Sequence, residues 1–487
     1  MRAQGSPEPS PPASPAPVNG PPSLPRPRLM IAGLSGGAGK TLVSLGLCRA
    51  WTRAGLTVRP FKKGPDYIDA GWLGLATGLP PTNLDPFFLS PEQLQALFQY
   101  RLQEGELAVV EGNRGLFDGH DVEGACASSR LARTLDCPVV LVIDATKMTR
   151  TIAAIIQGVQ RFEEGMQLAG VICNRTAGDR HRDSLRQAIE QYTDVPIMGM
   201  LPKIKQNPIP ERHMGLMSMR EQEGAEAALD AIADIIERHL DLDRLRTVAQ
   251  EASAWHPVPE LVWPGDRGPG ERPVARIGYV RDAALWFYYE ENLEALRRAG
   301  AKLVPLSLLD PAPWPEIHGL YLGGGFPEAL AEQLAANAPV RQRVRMLAEM
   351  GVPIFAECGG FMYLANSLRI NGKDYPMAGV FPVHTELSSH PVGLGYVQAE
   401  VVAENPFLPL GTTFHGHEFH YSRCVAADGA VLTLGLRLHK GEGMLAGYDG
   451  LLYKNVMASY THTHALALPD WAPRFVQAAM ATRRLAG

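Results

Sequence analysis

Short apolar runs alternate with amphipathic stretches from residue 29 onward. LMIAGL (29–34) leads into a helical periodicity over about 41–54 that Gly55 closes, and TVRPF (57–61), LAVVEG (107–112), PVVLVID (138–144) and LAGVICN (168–174) follow as further strand-like runs. That alternation predicts a parallel, doubly wound sheet over residues 28–242. Residues 243–273 lose the periodicity and fill with proline and glycine, so a linker is expected there. A second α/β domain is expected over 274–487, with strand-like ARIGYV (275–280), AKLVPLS (301–307), GLYLGGG (319–325), VPIFAEC (352–358) and GVFPV (379–383), and a helix over about 288–299. Residues 1–27 are dense in proline and hold almost no large apolar side chains, which predicts a disordered leader rather than a signal peptide.

The chain of 487 residues has room for two or three domains, and its 46% hydrophobic content suits ordinary packing. A net charge of −5, with lysines and arginines spread rather than blocked, argues against nucleic acid or a membrane surface as partner. No apolar run reaches the roughly 18 residues of a membrane helix. The six cysteines are scattered without C-x-x-C spacing, which points away from zinc or disulfides and toward the cytoplasm.

LSGGAGKT (34–41) carries the first chemistry. Gly36, Gly37 and Gly39 let the backbone turn its N–H groups inward, and the following helix offers its positive end to an anion. Lys40 is placed to reach the β- and γ-phosphates of ATP, and the Thr41 hydroxyl to hold Mg²⁺. The strict pattern wants glycine where the chain has Leu34, so the match is to the SGG-x-GKT variant. Acids expected nearby are Glu111 at the end of LAVVEG, Asp66 and Asp69 in FKKGPDYID, and Asp118 in GLFDG. They are candidates for metal and substrate roles. Lys62 and Lys63 suit a phosphate or polycarboxylate, with a solvated edge as the alternative.

The second chemistry is AECGG (356–360). A reactive side chain on a sharp strand-to-helix turn needs small neighbours, and Cys358 has them in Ala356 and Gly360. His462 and His464 in ASYTHTHAL are the candidate bases, one of them within reach of the thiol. The glycine turn at 323–325 offers N–H donors for an oxyanion, with Gly324 and Gly325 as the candidates. HGHEFHYSR, with His415, His417 and His420, matches no standard metal spacing, and His417 and Glu418 are expected to be structural or substrate-facing.

Taken together, GGAGKT, FKKGPDYID with AGW, NLDPF, VVEGNRGLFDG, PERHMGL, GGGFPE, AECGG, GHEFHYS and SYTHTH resemble the cobyrinate a,c-diamide synthase family over residues 29–487. The resemblance implies a P-loop, dethiobiotin-synthetase-like ATPase domain followed by a class I glutamine amidotransferase-like domain. It implies Cys358 as glutaminase nucleophile and His462 as its partner, the latter being the first histidine after S-Y-x. It further implies Lys40 and Thr41 as nucleotide and magnesium contacts, Glu111 as the second metal ligand, and Asp66 and Asp118 at the carboxylate-activating site; Asp69 and Lys62 in the same loop are candidates for that site, and Asp66 is also a candidate metal ligand beside Thr41 and Glu111. His464 stands where other class I enzymes carry an orienting glutamate, so the group that orients His462 is open.

The implied reaction uses ATP, Mg²⁺ and L-glutamine to amidate a tetrapyrrole polycarboxylate. Relatives with these motifs act on cobyrinate, hydrogenobyrinate, nickel-sirohydrochlorin or sirohaem; the a and c acetates of cobyrinate are the expected target, with sirohaem or sirohydrochlorin the alternative. A different class, a P-loop ATPase switch with an inactive second domain, generally carries lysine where this chain has Ser35 and needs no Cys358 with His462. Oligomeric state, a homodimer included, is open.

Overall fold

Seven strands of the N-terminal half run parallel in the order β3 (Thr82–Leu84), β2 (Val58–Lys63), β4 (Leu107–Glu111), β1 (Arg28–Gly33), β5 (Val139–Asp144), β6 (Leu168–Thr176) and β7 (Ile197–Pro202). The computed structural model that shows this describes residues 26–103, 106–204, 208–209, 211–212, 215–216, 224–255, 262–263 and 274–486. Along β1, Met30 and Ala32 enter one apolar core while Leu29 and Ile31 enter another on the opposite face. Burial on both faces is why these strands read as continuous apolar runs rather than alternating ones.

Strand order reverses around β1 and β4, and ligands of open parallel sheets collect at such a switch point, beyond the carboxyl ends of the strands. Helix α1 (Lys40–Arg53) leaves from the loop after β1, and α2 (Tyr67–Thr77) from the loop after β2. Asp66 caps α2 by accepting the N–H groups of Ile68 and Asp69.

The C-terminal half is built on nine strands. Ala301–Leu306, Ala275–Val280, Gly319–Leu322, Ile354–Glu357 and Val456–Ser459 lie parallel in that order, and Tyr448–Tyr453, Thr433–Lys440, Gly393–Val401 and Thr413–His420 extend the sheet antiparallel. GVFPV falls outside this sheet. Its strand, Phe381–Leu387, belongs to a separate four-stranded sheet.

Two further sequence expectations change. Residues 242–250, placed mostly in the linker, form a helix whose Leu245 and Ala249 are buried in the N-terminal core, with the Asp241 carboxylate capping its start. Two apolar positions four apart on a nine-residue helix are too short a pattern to stand out beside the Pro-Gly run that follows. Arg26 and Pro27, placed in the leader, are held: the Arg26 guanidinium donates to Leu102 O at 2.8 Å, and Ala108 N donates to Pro27 O at 2.9 Å. The remainder of the leader, most of the expected linker and the side chains of PERHMGL lie outside the described residues.

The two halves share a core. Trp286, Phe287, Tyr289 and Leu466 pack into the same cluster as Phe61, Tyr67 and Phe88. Arg101 bridges to Glu291 and Glu294 at 2.8 Å each, Tyr396 donates to both oxygens of Asp85 at 3.1 Å, and Phe87 O meets His415 Nδ1 at 2.7 Å. Because the 242–250 helix is packed core and not connector, Leu245→Ala should destabilise the N-terminal domain by about 2–5 kcal/mol. Urea unfolding of the full chain measures it.

Candidate active site between the two domains

In the loop after β1, Gly37 and Gly39 hold φ of 73° and 103°, in the left-handed region that favours glycine. A Cβ at Gly39 would stand 2.2 Å from Asn174 Nδ2, which itself donates to Ala38 O at 2.8 Å. Asn174, at the end of β6, therefore props the phosphate loop. Gly36 is exposed at the loop tip, and the Lys40 ammonium folds back onto Ser35 O at 2.9 Å. Burial holds the Lys40 pKa below its usual value, a penalty that a phosphate would remove.

Thr41 Oγ1 donates to Glu111 Oε1 at 2.7 Å and lies 3.5 Å from Asp69 Oδ2. Lys62 Nζ sits between the same acids, 2.8 Å from Asp69 and 2.9 Å from Glu111. Burial opposes its charge, yet Asp69, Glu111 and Asp66 outweigh that and hold its pKa above the ordinary lysine value. The solvated-edge reading of the two lysines does not hold, since Lys62 and Lys63 are 1% and 4% exposed. Asp69, not Asp66, is the acid brought against Thr41. One oxygen of Asp66 is engaged as the α2 cap, while its residue lines the cavity described below. Asp118 Oδ2 closes its own turn by accepting Gly115 N at 2.9 Å, and also faces that cavity.

Cys358 occupies φ 47° and ψ −103°, between the strand Ile354–Glu357 and the helix Gly359–Leu364. The glycines after it are required by packing. A Cβ at Gly360 would stand 2.4 Å from Leu322 O, and one at Gly359 2.9 Å from Gly325 N. The turn that carries Gly324 and Gly325 thus lies directly on the elbow. Burial pushes the Cys358 thiol above its ordinary pKa, so the resting group is protonated and needs a base.

His462 lines the same cavity as Cys358. Its ring stacks on His417 with centroids 4.7 Å apart, and burial pushes its pKa down to about 3, leaving a neutral imidazole able to accept a proton. ASYTHTHAL is not a regular strand around these histidines: His462 alone forms a bridge, to His417. Two buried acids clamp the segment. Asp449 accepts Tyr460 N and Thr461 N at 3.0 and 2.9 Å, and Glu357 accepts Thr463 N at 2.7 Å and Thr463 Oγ1 at 2.8 Å. His464 turns away, its Nε2 3.7 Å from Glu291 Oε2, and packs on Tyr289.

One cavity of about 460 Å³ joins the halves. Asp66, Asp118, Lys63 and Arg114 line it from the nucleotide side, and Cys358 and His462 from the other. Aromatic rings of Tyr67, Phe287, Phe326, Tyr396, Phe419 and Tyr421 make up much of its wall. Sequence reading passed over Glu357, Asp449, Asn174 and Arg114. Glu357 had a signal, as an acid ending an apolar strand beside the nucleophile; the others gain meaning only from contacts distant in sequence. Among the described residues, no cluster of three or more His, Cys, Asp or Glu is arranged to hold a metal ion unaided. His420 instead stacks on Tyr460 at 3.6 Å, and Glu418 accepts the N–H groups of Glu442 and Gly443.

Two family models match the chain. Residues 29–216 match the CobQ/CobB/MinD/ParA nucleotide binding domain, and residues 276–469 the CobB/CobQ-like glutamine amidotransferase domain. The chain has the fold of, and is, a glutamine-hydrolysing carbon–nitrogen ligase with a nucleotide-binding domain. The chain is 40% identical over 449 residues to the cobyrinate a,c-diamide synthase of Magnetococcus marinus, covering 92% of this chain and 96% of that protein. The synthases of Listeria monocytogenes (38% identical, 90% and 96% covered) and Archaeoglobus fulgidus (36%, 93% and 98%) are similarly related. The chain belongs to the cobyrinate a,c-diamide synthase family. With relatives matching through both domains, the reading as an ATPase switch with an inactive second domain is set aside.

His462→Asn should lower glutamine turnover by roughly a hundredfold or more, the usual loss with a general base, and His464→Asn should cost less. Because burial keeps His462 neutral down to about pH 3, the acid limb of kcat/KM for glutamine should fall well below the free-imidazole value of about 6.5. A pH–rate profile of glutamate release checks this.

Proposed function

We propose that this enzyme amidates the a and c acetate carboxylates of cobyrinate, using ammonia from glutamine and activation by ATP. The observation that carries the reading is the single cavity whose walls hold both the Cys358–His462 pair and the acids and cations of the nucleotide domain. Its aromatic wall suits a macrocycle, and Lys63, Arg114 and Lys440 on its lining suit a polycarboxylate. Relatives named cobyrinate a,c-diamide synthase supply the identity of the macrocycle.

On the glutaminase side, Cys358 Sγ attacks the carboxamide carbon of glutamine while His462 takes the thiol proton. The oxyanion faces the N–H groups of Gly324 and Gly325. His462 returns the proton to the departing ammonia, and water then cleaves the thioester to glutamate. On the other side, a carboxylate oxygen is a poor leaving group, so ATP converts it to an acyl phosphate, which ammonia displaces. A shared cavity matters because ammonia in water at neutral pH is mostly ammonium, which is not a nucleophile.

Mg²⁺ fits the donor set. Thr41, Asp69 and Glu111 present hard oxygens close together, and Glu111 Oε2 is buried without a hydrogen-bond partner among the described residues. Asp66 is adjacent through the α2 cap. The ion would neutralise phosphate charge beside Lys40 and complete its shell with phosphate and water. No helix among the described residues is long and apolar enough to cross a membrane, and all six cysteines are free, in keeping with a reducing cytoplasm.

Cys358→Ala should abolish glutamine-driven amidation and leave ammonia-driven amidation working. Lys40→Ala should remove amide formation with either nitrogen source, since phosphate charge is left uncompensated. Both are read by mass shifts of cobyrinate, sirohydrochlorin and sirohaem offered with ATP. Preferential diamidation of sirohaem or sirohydrochlorin would assign the alternative substrate, and equal loss of both nitrogen sources in Cys358→Ala would make that cysteine structural.

A further inference from the structure

We propose that Tyr67 is a positioning residue through which the nucleotide domain sets the reactivity of Cys358; this rests on the reading of Cys358 and His462 as the glutaminase pair. Tyr67 is the first residue of α2 and so belongs to the nucleotide domain. Its ring nevertheless stacks on Phe287 of the other domain, with centroids 4.9 Å apart and planes within 4°. Its hydroxyl lies 3.5 Å from His462 Nδ1, and among the described hydrogen bonds this is the one that reaches the imidazole ring. Glu357 and Asp449 fix the backbone on either side of His462 but do not hold its ring. The place of an orienting group on that ring therefore falls to a phenol from across the domain boundary.

The same turn of chain ends at the phosphate site. Asp66 Oδ1 accepts the N–H groups of Ile68 and Asp69 at 2.9 Å each, which locks residues 66–69 into one capped turn. Asp69 Oδ2 at the far side of that turn lies 2.8 Å from Lys62 Nζ and 3.5 Å from Thr41 Oγ1. Lys62 holds both Asp69 and Glu111, so loading this site with Mg²⁺ and nucleotide must rearrange its pairing with Asp69. A separation of 3.5 Å is the outer limit of a hydrogen bond, and a shift of a few tenths of an ångström in the capped turn makes or breaks it. Loading shortens the contact, fixes the imidazole and raises the rate of thiol deprotonation. By linkage, a group that senses the nucleotide through this turn acts on it in return.

The test uses the full-length enzyme and Tyr67→Phe, which keeps the stacked ring and removes the hydroxyl. Capture of Cys358 by iodoacetamide, located by peptide mapping, is timed with and without Mg²⁺ and a non-hydrolysable ATP analogue. Glutamine hydrolysis is measured in the same states without any tetrapyrrole. In the wild type, loading should speed both. In Tyr67→Phe the response of Cys358 capture to loading should vanish, and kcat for glutamine in the loaded state should fall by about tenfold with little change in KM, as for one lost hydrogen bond. Tyr289→Phe, which removes the neighbouring hydroxyl 3.4 Å from His417 Nδ1 and with it a hydrogen-bond partner of Tyr67, should weaken the response without abolishing it. A Tyr67→Phe enzyme that responds like wild type overturns the proposal. Unchanged glutamine hydrolysis in Cys358→Ala would instead remove the glutaminase reading on which the proposal stands.

Discussion

A buried carboxylate holds the Cys358 elbow and the His462 segment together. Glu357 immediately precedes Cys358, and Thr463 immediately follows His462. The Glu357 side chain accepts both the N–H and the hydroxyl of Thr463 on one oxygen, and the hydroxyl of Tyr321 on the other at 2.7 Å. The proposed nucleophile and base come from segments more than a hundred residues apart, so neither can be placed without such a tie. Burial pushes Glu357 up to about 7, and the three hydrogen bonds pull the other way. Leaving any of those partners out would expose a desolvated carboxylate to its full cost, which makes the arrangement close to all-or-none.

Most parallel strands were legible because strands buried on both faces are written as unbroken apolar runs, whereas short or peripheral ones such as Thr82–Leu84, Ile197–Pro202 and Val456–Ser459 were not. The helix after the phosphate loop and the elbow strand fell within a residue or two of their expected places. The antiparallel strands from Gly393 to Tyr453 were not read at all. Several of them, such as Thr433–Lys440, carry exposed or charged residues along much of their length and lack a run that stands out. The helix at 242–250 was missed because its two buried positions are outweighed by the loop composition beside it.

Site residues divide along the same line. Residues whose role follows from local backbone form, such as Lys40, Thr41 and Cys358, could be found in short motifs. Residues whose role depends on a partner far along the chain could not. Asp66 and Asp69 show the limit: the motif makes Asp66 the candidate metal ligand, whereas the structure engages Asp66 as the cap of α2 and brings Asp69, three positions on, to Thr41. The motifs leave open which group orients His462, and the ring meets a tyrosine from residue 67.

The shared cavity bears on how such a chain can be rebuilt. Each domain has its own sheet, which invites treatment as exchangeable cassettes. Yet the walls of the proposed reaction chamber are divided between them, and so are the fastenings Asp85 to Tyr396, Arg101 to Glu291 and Phe87 to His415. A hybrid that borrows one half from a distant relative inherits only one side of each fastening and an open chamber, through which ammonia escapes to solvent. Grafting at the sheet edges would preserve folding and lose the chemistry; a productive hybrid has to carry the seam residues of both halves as one inheritance.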